Sequence, residues 1–169
     1  MDSASRHFVQ MDELADAVGK RLAELTGAQW GMVTAGCAAA LKMATAACVA
    51  GGNPEKLHLI PDLSGLDKTE VIIPAGSFSA YDFAIQNIGV KIIRVETIEE
   101  LKDALGPKTA MIKLSGGNLV PGPMSLEVIA AIAKPLNIPI LADAAAEILT
   151  IPNVHLKNGA TMVAYSGGK

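Results

Sequence analysis

A lysine in a glycine turn, an aspartate behind an apolar run and a glycine-led turn into an alanine-rich helix are the parts of this sequence able to do chemistry. Lys169 stands in "YSGGK". Asp143 follows the apolar residues 138–142, where a carboxylate is costly to bury unless it meets a partner. "TAGCAA", around Gly36 and Cys37, offers backbone N–H groups at a predicted helix N-terminus, a setting suited to a phosphate. Singly, each has a plainer reading: Asp143 as a helix N-cap, Lys169 as an ordinary surface lysine. Jointly they meet the needs of pyridoxal phosphate. A lysine forms an imine with its aldehyde, an aspartate pairs with its ring nitrogen and a helix N-terminus holds its phosphate.

Other chemistries find no support. "SGGK" is not a phosphate-binding Walker loop, because the glycine required five residues before Gly168 is replaced by Val163. No G-x-G-x-x-G follows a strand and no G-x-S-x-G occurs. His7, His58 and His155 are scattered, without the spacing of a metal site. A net charge of −3 and 4% aromatic residues argue against a nucleic-acid surface. Two cysteines, Cys37 and Cys48, are too few for a disulfide framework and suit a reducing cytoplasm. Met1 leads into "DSASRHF" and not into a basic then apolar run, so no signal peptide is expected. The longest apolar stretch is mostly alanine and contains Lys42, so a membrane span is not expected either.

The elements that must position these residues alternate. Apolar residues from Met11 to Leu25 at helical spacing predict an amphipathic helix over 8–26, stopped by Gly27. "QWGMVT" reads as a short strand, residues 36–50 as a nearly uncharged buried or interface helix, and residues 51–68 as a loop. Strands "EVIIP", "VKIIRV", "TAMIKL", "IPILADA" and "ATMVAYS" then follow, the first three gaps bridged by helices at 79–87, 97–105 and 125–134. The strands are continuous apolar runs, as expected when helices cover both faces of a sheet. The fold class is therefore α/β, with a mostly parallel sheet sandwiched by helices. In such sheets ligands bind beyond the carboxyl ends of the strands, where most of the glycines fall.

The order "VTAGCAAALKMATAACVAG", "VIIPAGSFSAYDFAIQNIGVKII", "PILADAAAE", "YSGGK" resembles the selenocysteine-synthase-like group of fold-type-I pyridoxal-phosphate enzymes. That group includes selenium transferase and relatives of D-glucosaminate-6-phosphate ammonia-lyase. The resemblance covers nearly the whole chain and implies the large domain of an aminotransferase-like fold. By resemblance, Lys169 is the lysine bonded to the cofactor and Asp143 binds the pyridine nitrogen, with Ala145 beneath the ring. Gly36, Cys37 and Ala38 cradle the phosphate through their backbone and Ser166 adds a hydroxyl. Asn118 reaches the ring oxygen. Phe78 falls where the family places a ring-stacking residue, often histidine, and reads equally as a core phenylalanine; Cys37 reads as a small filler and not as a nucleophile.

Enzymes of this group begin earlier and continue past the lysine, so residues 1–169 are expected to form a partial cofactor-binding large domain. The N-terminal segment and the small C-terminal domain would be absent. The resemblance also implies a lyase acting on a small amino acid or phosphorylated amino-sugar acid. Cα deprotonation, β-elimination and ammonia release would follow one another in a homodimer or larger homo-oligomer. Selenium transfer to seryl-tRNA, racemisation and transamination share the same groups, although no basic patch for a tRNA is present. A non-catalytic α/β binding module is the reading from another class, and it predicts no covalent cofactor.

Overall fold

The computed structural model of the protein describes residues 2–168. Helix α1 (Met11–Thr26) is followed by α2 (Cys37–Ala50) and a short α3 (Pro54–Leu59). Strand β1 (Glu70–Pro74), helix α4 (Phe83–Gln86), strand β2 (Lys91–Val95), helix α5 (Ile98–Ala104) and strand β3 (Thr109–Ser115) come next. Helix α6 (Leu126–Ala133), strand β4 (Ile140–Asp143), helix α7 (Val154–Lys157) and strand β5 (Met162–Ala164) complete the order. The strands form one sheet in the order β2-β1-β3-β4-β5, and every neighbouring pair is parallel.

Because side chains alternate across a strand, each strand feeds two cores. Ile72, Ile112, Leu114, Ile140 and Ala142 join Leu101, Leu126 and Ile129 of α5 and α6 on one face. Val71, Ile73, Met111 and Leu141 join Leu41 and Val49 of α2 and Ile85 of α4 on the other. Lys113 shares its parity with Met111, and Asp143 with Leu141, so both point to the α2 face. Lys113 and Leu141 are direct register partners, which sets the lysine two residue-pairs below the end of β4.

Three expectations change. "QWGMVT" pairs with no strand among the described residues. It lies on α1 instead, where Gly31 donates to the Gly19 carbonyl (3.2 Å) and Trp30 sits so close that a Cβ on Gly19 would stand 2.5 Å from Trp30 Cε2. The expected loop over 51–68 contains α3, since the Asn53 side chain accepts from Glu55 and Lys56 N–H and Pro54 occupies the first helical position. The helix expected over 79–87 is split into a 3-10 turn (Ala80–Asp82) and the four residues of α4. Ser79 and Asp82 form a capping box at its start, Asp82 accepting the Ser79 N–H at 3.0 Å and the Ser79 hydroxyl at 3.2 Å. No described helix is long and apolar enough to cross a membrane.

Candidate active site

The chain turns at the top of the sheet, and the turn into α2 is built on Gly36. Its φ of 86° and ψ of 172° lie in a region that only glycine enters without strain. The result is a helix of 14 residues whose first turn has no side-chain cap, leaving the N–H groups of Cys37, Ala38 and Ala39 unclaimed by the helix. Two of these residues, Cys37 and Ala38, line a cavity of about 340 Å3 together with Ala35, Gly36, Leu41, Tyr81, Asp143, Ala145, Ala146 and Ser166. A cavity of that size is within the ordinary range for a small organic ligand, about 300–1,000 Å3.

Asp143 forms the acidic wall of the cavity, its side chain only 8% exposed. Oδ1 accepts the Ala145 N–H at 3.3 Å and the Cys37 thiol at 3.4 Å. Burial, and then the adjoining Asp143 charge, push the Cys37 thiol up to about 12, so it stays protonated and acts as a donor. On the far side, Oδ2 lies 3.7 Å from Lys113 Nζ.

Lys113 is fully buried and fully partnered. Its ammonium donates to the Ser77 carbonyl (2.7 Å), to Asp82 Oδ1 (2.8 Å) and to Ser115 Oγ (3.1 Å). Ser77 Oγ accepts the Ser115 N–H at 2.8 Å and lies 2.8 Å from Asn118 Oδ1, while Asn118 Nδ2 donates to the Met124 carbonyl at 2.7 Å. This network joins the loops after β1 and β3, where the chain's crossovers diverge to opposite sides of the sheet.

Two more contacts set the loops after β4 and β5. His155 Nε2 and Glu147 Oε2 are 2.6 Å apart, tying the loop after Asp143 to α7. The Asn153 amide, at the head of α7, donates to the Tyr165 hydroxyl at 2.8 Å, beside Ser166.

Gly36, Cys37, Ala38, Asp143, Ala145 and Ser166, all singled out from the sequence, thus line one cavity. Phe78 and Asn118 are not among its lining residues. Phe78 borders a neighbouring cleft with Asp82 and Phe83, and the Arg94 guanidinium lies 3.9 Å from its ring centre. Asn118 is buried in the loop network. Lys169 lies outside the described residues. Sequence reading missed Asp82, Lys113 and Tyr81. The signal for Lys113 was available, since a lone charge inside "TAMIKL" must find a partner if that strand is buried.

The arrangement combines an anion-binding helix terminus with a buried carboxylate across a small cavity, which fits the phosphate and the ring nitrogen of pyridoxal phosphate. Among the described residues no group of His, Cys, Asp and Glu side chains could hold a metal ion.

The sequence profile of the DegT/DnrJ/EryC1/StrS aminotransferase family matches residues 2–151. D-glucosaminate-6-phosphate ammonia lyase of Salmonella typhimurium is 30% identical over 177 aligned positions, which take in 98% of this chain and 47% of that protein. A 5'-C-glycyluridine monooxygenase-decarboxylase of a Streptomyces species is also 30% identical, over 186 positions covering 100% of this chain and 45% of that one. A solved structure of a D-glucosaminate-6-phosphate ammonia-lyase superposes with a TM-score of 0.89 at 30% identity, covering 99% of this chain and 48% of its own. The chain spans about half the length of the curated relatives it matches.

Proposed function

Because the chain belongs to the DegT/DnrJ/EryC1/StrS aminotransferase family, we propose that it is the cofactor-binding part of a pyridoxal-phosphate-dependent lyase. The family's enzymes use pyridoxal phosphate. The observation that carries the reading for this chain is the shared cavity of Asp143 and the uncapped first turn of α2.

In this reading the N–H groups of Cys37 and Ala38 bind the cofactor phosphate, and Ser166 adds a hydroxyl. Asp143 holds a proton at the ring nitrogen, and Ala145 and Ala146 give the ring an apolar floor. Pyridoxal phosphate, when bound, supplies an electron sink for charge left at the substrate Cα. Lys169 would hold the cofactor through its aldehyde and would serve as the base for the substrate Cα proton. Loss of a β-hydroxyl and release of ammonia complete the reaction. The substrate class is a small hydroxylated amino acid or amino-sugar acid, with D-glucosaminate 6-phosphate the first to try, by similarity to the lyase at TM-score 0.89.

A homo-oligomer and a cytoplasmic setting belong to the same reading. Exposed Phe8, Met32, Val33 and Ile148 support the first, and the free thiols Cys37 and Cys48 agree with the second. Light scattering of the whole protein gives the assembly, and a monomer would remove that part.

The test is an absorbance spectrum of the whole protein, then borohydride reduction and peptide mapping. A yellow protein with the reduced cofactor on the "YSGGK" peptide is the expected result. A colourless protein that takes up no added pyridoxal phosphate would overturn the reading. The relative named a monooxygenase-decarboxylase, at the same 30% identity, makes carbon dioxide the second product to follow beside ammonia.

A further inference from the structure

Lys113 is the one fully buried charged side chain among the described residues, and it is not itself among the residues that line the cavity. Its place has a charge logic. Two carboxylates converge on one ammonium: Asp82 at 2.8 Å and Asp143 at 3.7 Å. A lysine paired with Asp143 alone would cancel the charge that faces the cavity, leaving nothing to favour a cation there. Asp82 changes that balance. It makes the shorter, hydrogen-bonded contact with Lys113, and the group of three then sums to one negative charge in a site where water is scarce. Cys37, the other titratable group against Asp143, is held protonated and adds no charge.

We propose that Asp82 and Lys113 are positioning residues that set the charge of the cofactor site: Lys113 orients the Asp143 carboxylate, and Asp82 neutralises Lys113 so that one net negative charge is left for a protonated ring nitrogen. The proposal rests on the pyridoxal-phosphate reading and deepens it. The geometry supplies two supports beyond the ion pairs. Lys113 Nζ is fixed by the Ser77 carbonyl and Ser115 hydroxyl, so it cannot swing toward either carboxylate without losing hydrogen bonds. Asp82 is fixed in turn by the Ser79 backbone N–H and hydroxyl. The two are thus a rigid pair behind Asp143, able to set its charge environment without touching the ligand.

The experiment compares binding of pyridoxal phosphate with that of its 1-deaza analogue, in which C–H replaces the ring nitrogen. Equilibrium dialysis of the whole protein gives a preference, the ratio of the two dissociation constants, in which phosphate and aldehyde contacts cancel. The unsubstituted protein must prefer pyridoxal phosphate by about tenfold or more, since an opposite charge a few ångströms away favours a protonated ring by one to three powers of ten. D82N, which leaves one cation against one carboxylate, lowers the preference by about tenfold. D82N/K113M, which again leaves one negative charge, regains it.

A residue that merely braced the loops would make the double variant as poor as the single one or poorer. An unchanged preference in D82N, or no recovery in the double variant, overturns the proposal. If circular dichroism shows that D82N does not fold, D82S is used in its place, because it makes the same charge change and keeps an oxygen for Ser79. Equal binding of the two probes by the unsubstituted protein also overturns the charge argument while leaving the cofactor reading intact. Binding of neither probe sinks the cofactor reading itself, so the two failures are told apart.

Discussion

The two faces of the one sheet differ in kind. On the α6 face the residues from β1, β3 and β4 are Ile72, Ile112, Leu114, Ile140 and Ala142, with no polar side chain in that set. On the α2 face the same strands supply Val71, Ile73, Met111 and Leu141, and then, toward their carboxyl ends, Lys113 and Asp143. One residue of register separates Ile112 or Leu114 from Lys113, and the whole difference between packing and chemistry rests on it. The apolar face is replaceable by anything of similar volume, whereas the other holds groups whose loss leaves charges stranded.

The largest effect expected from breaking that contrast is K113M. It leaves Asp82 and Asp143 buried without their cation, and denaturant unfolding should show a loss of about 3–5 kcal/mol. A loss below 1 kcal/mol, within what an exposed pair is worth, would mean that the cluster is solvated. G36A comes next. A Cβ at φ 86° and ψ 172° is expected to cost about 1–3 kcal/mol, and it also tilts the first N–H groups of α2, so phosphate-bearing cofactor should be retained less well. Thermal melts with and without pyridoxal phosphate separate the two effects, and a variant that melts and binds like the parent would contradict the geometry.

Smaller still is I112V on the opposite face, expected to cost about 1 kcal/mol and to leave cofactor affinity unchanged. A shift in affinity would show that the two faces are coupled through the sheet. The smallest effect is on the thiols. Burial raises Cys37 to about 12 and Cys48 to about 11, both above the ordinary 9.0. At pH 8 iodoacetamide should therefore label the folded protein slowly and the unfolded chain readily. The sign for stability follows: both raised thiols stabilise the fold fully below pH 9, and that contribution is lost as the pH climbs from 9 toward 11 and 12. A melting temperature that does not fall over that range would contradict the burial of the thiols.

Much of this was legible in the sequence. The five strands from Glu70 onward announce themselves as β-rich apolar runs, and glycine or asparagine caps mark half of the helix ends. Gly36 and Asp143 were readable because each is a local oddity, a glycine before a helix and a carboxylate after a hydrophobic strand. The helix expected over 79–87 is present but opens as a 3-10 turn, and its start was readable in the Ser79–Asp82 capping box. The failures have a common physical cause. Whether "QWGMVT" is a strand depends on a partner and not on its own residues, and here α1 takes its N–H. Lys113 and Asp82 lie 31 residues apart and meet only once β1 and β3 are paired, so their partnership is a property of the topology.

The bridge from Ser77 to Ser115 and Asn118 has one more consequence. In open parallel sheets the opening where crossovers part company is the customary doorway for ligands. Here that doorway, between β1 and β3, is bolted from inside by the protein's own serines, asparagine and lysine. The vacant ground lies instead two strands over, under the nose of α2, and a guest must lie across the tips of β4 and β5. Shutting the common entrance leaves the loop after β3 as masonry, while the loop after β1 still sends Tyr81 to meet a visitor.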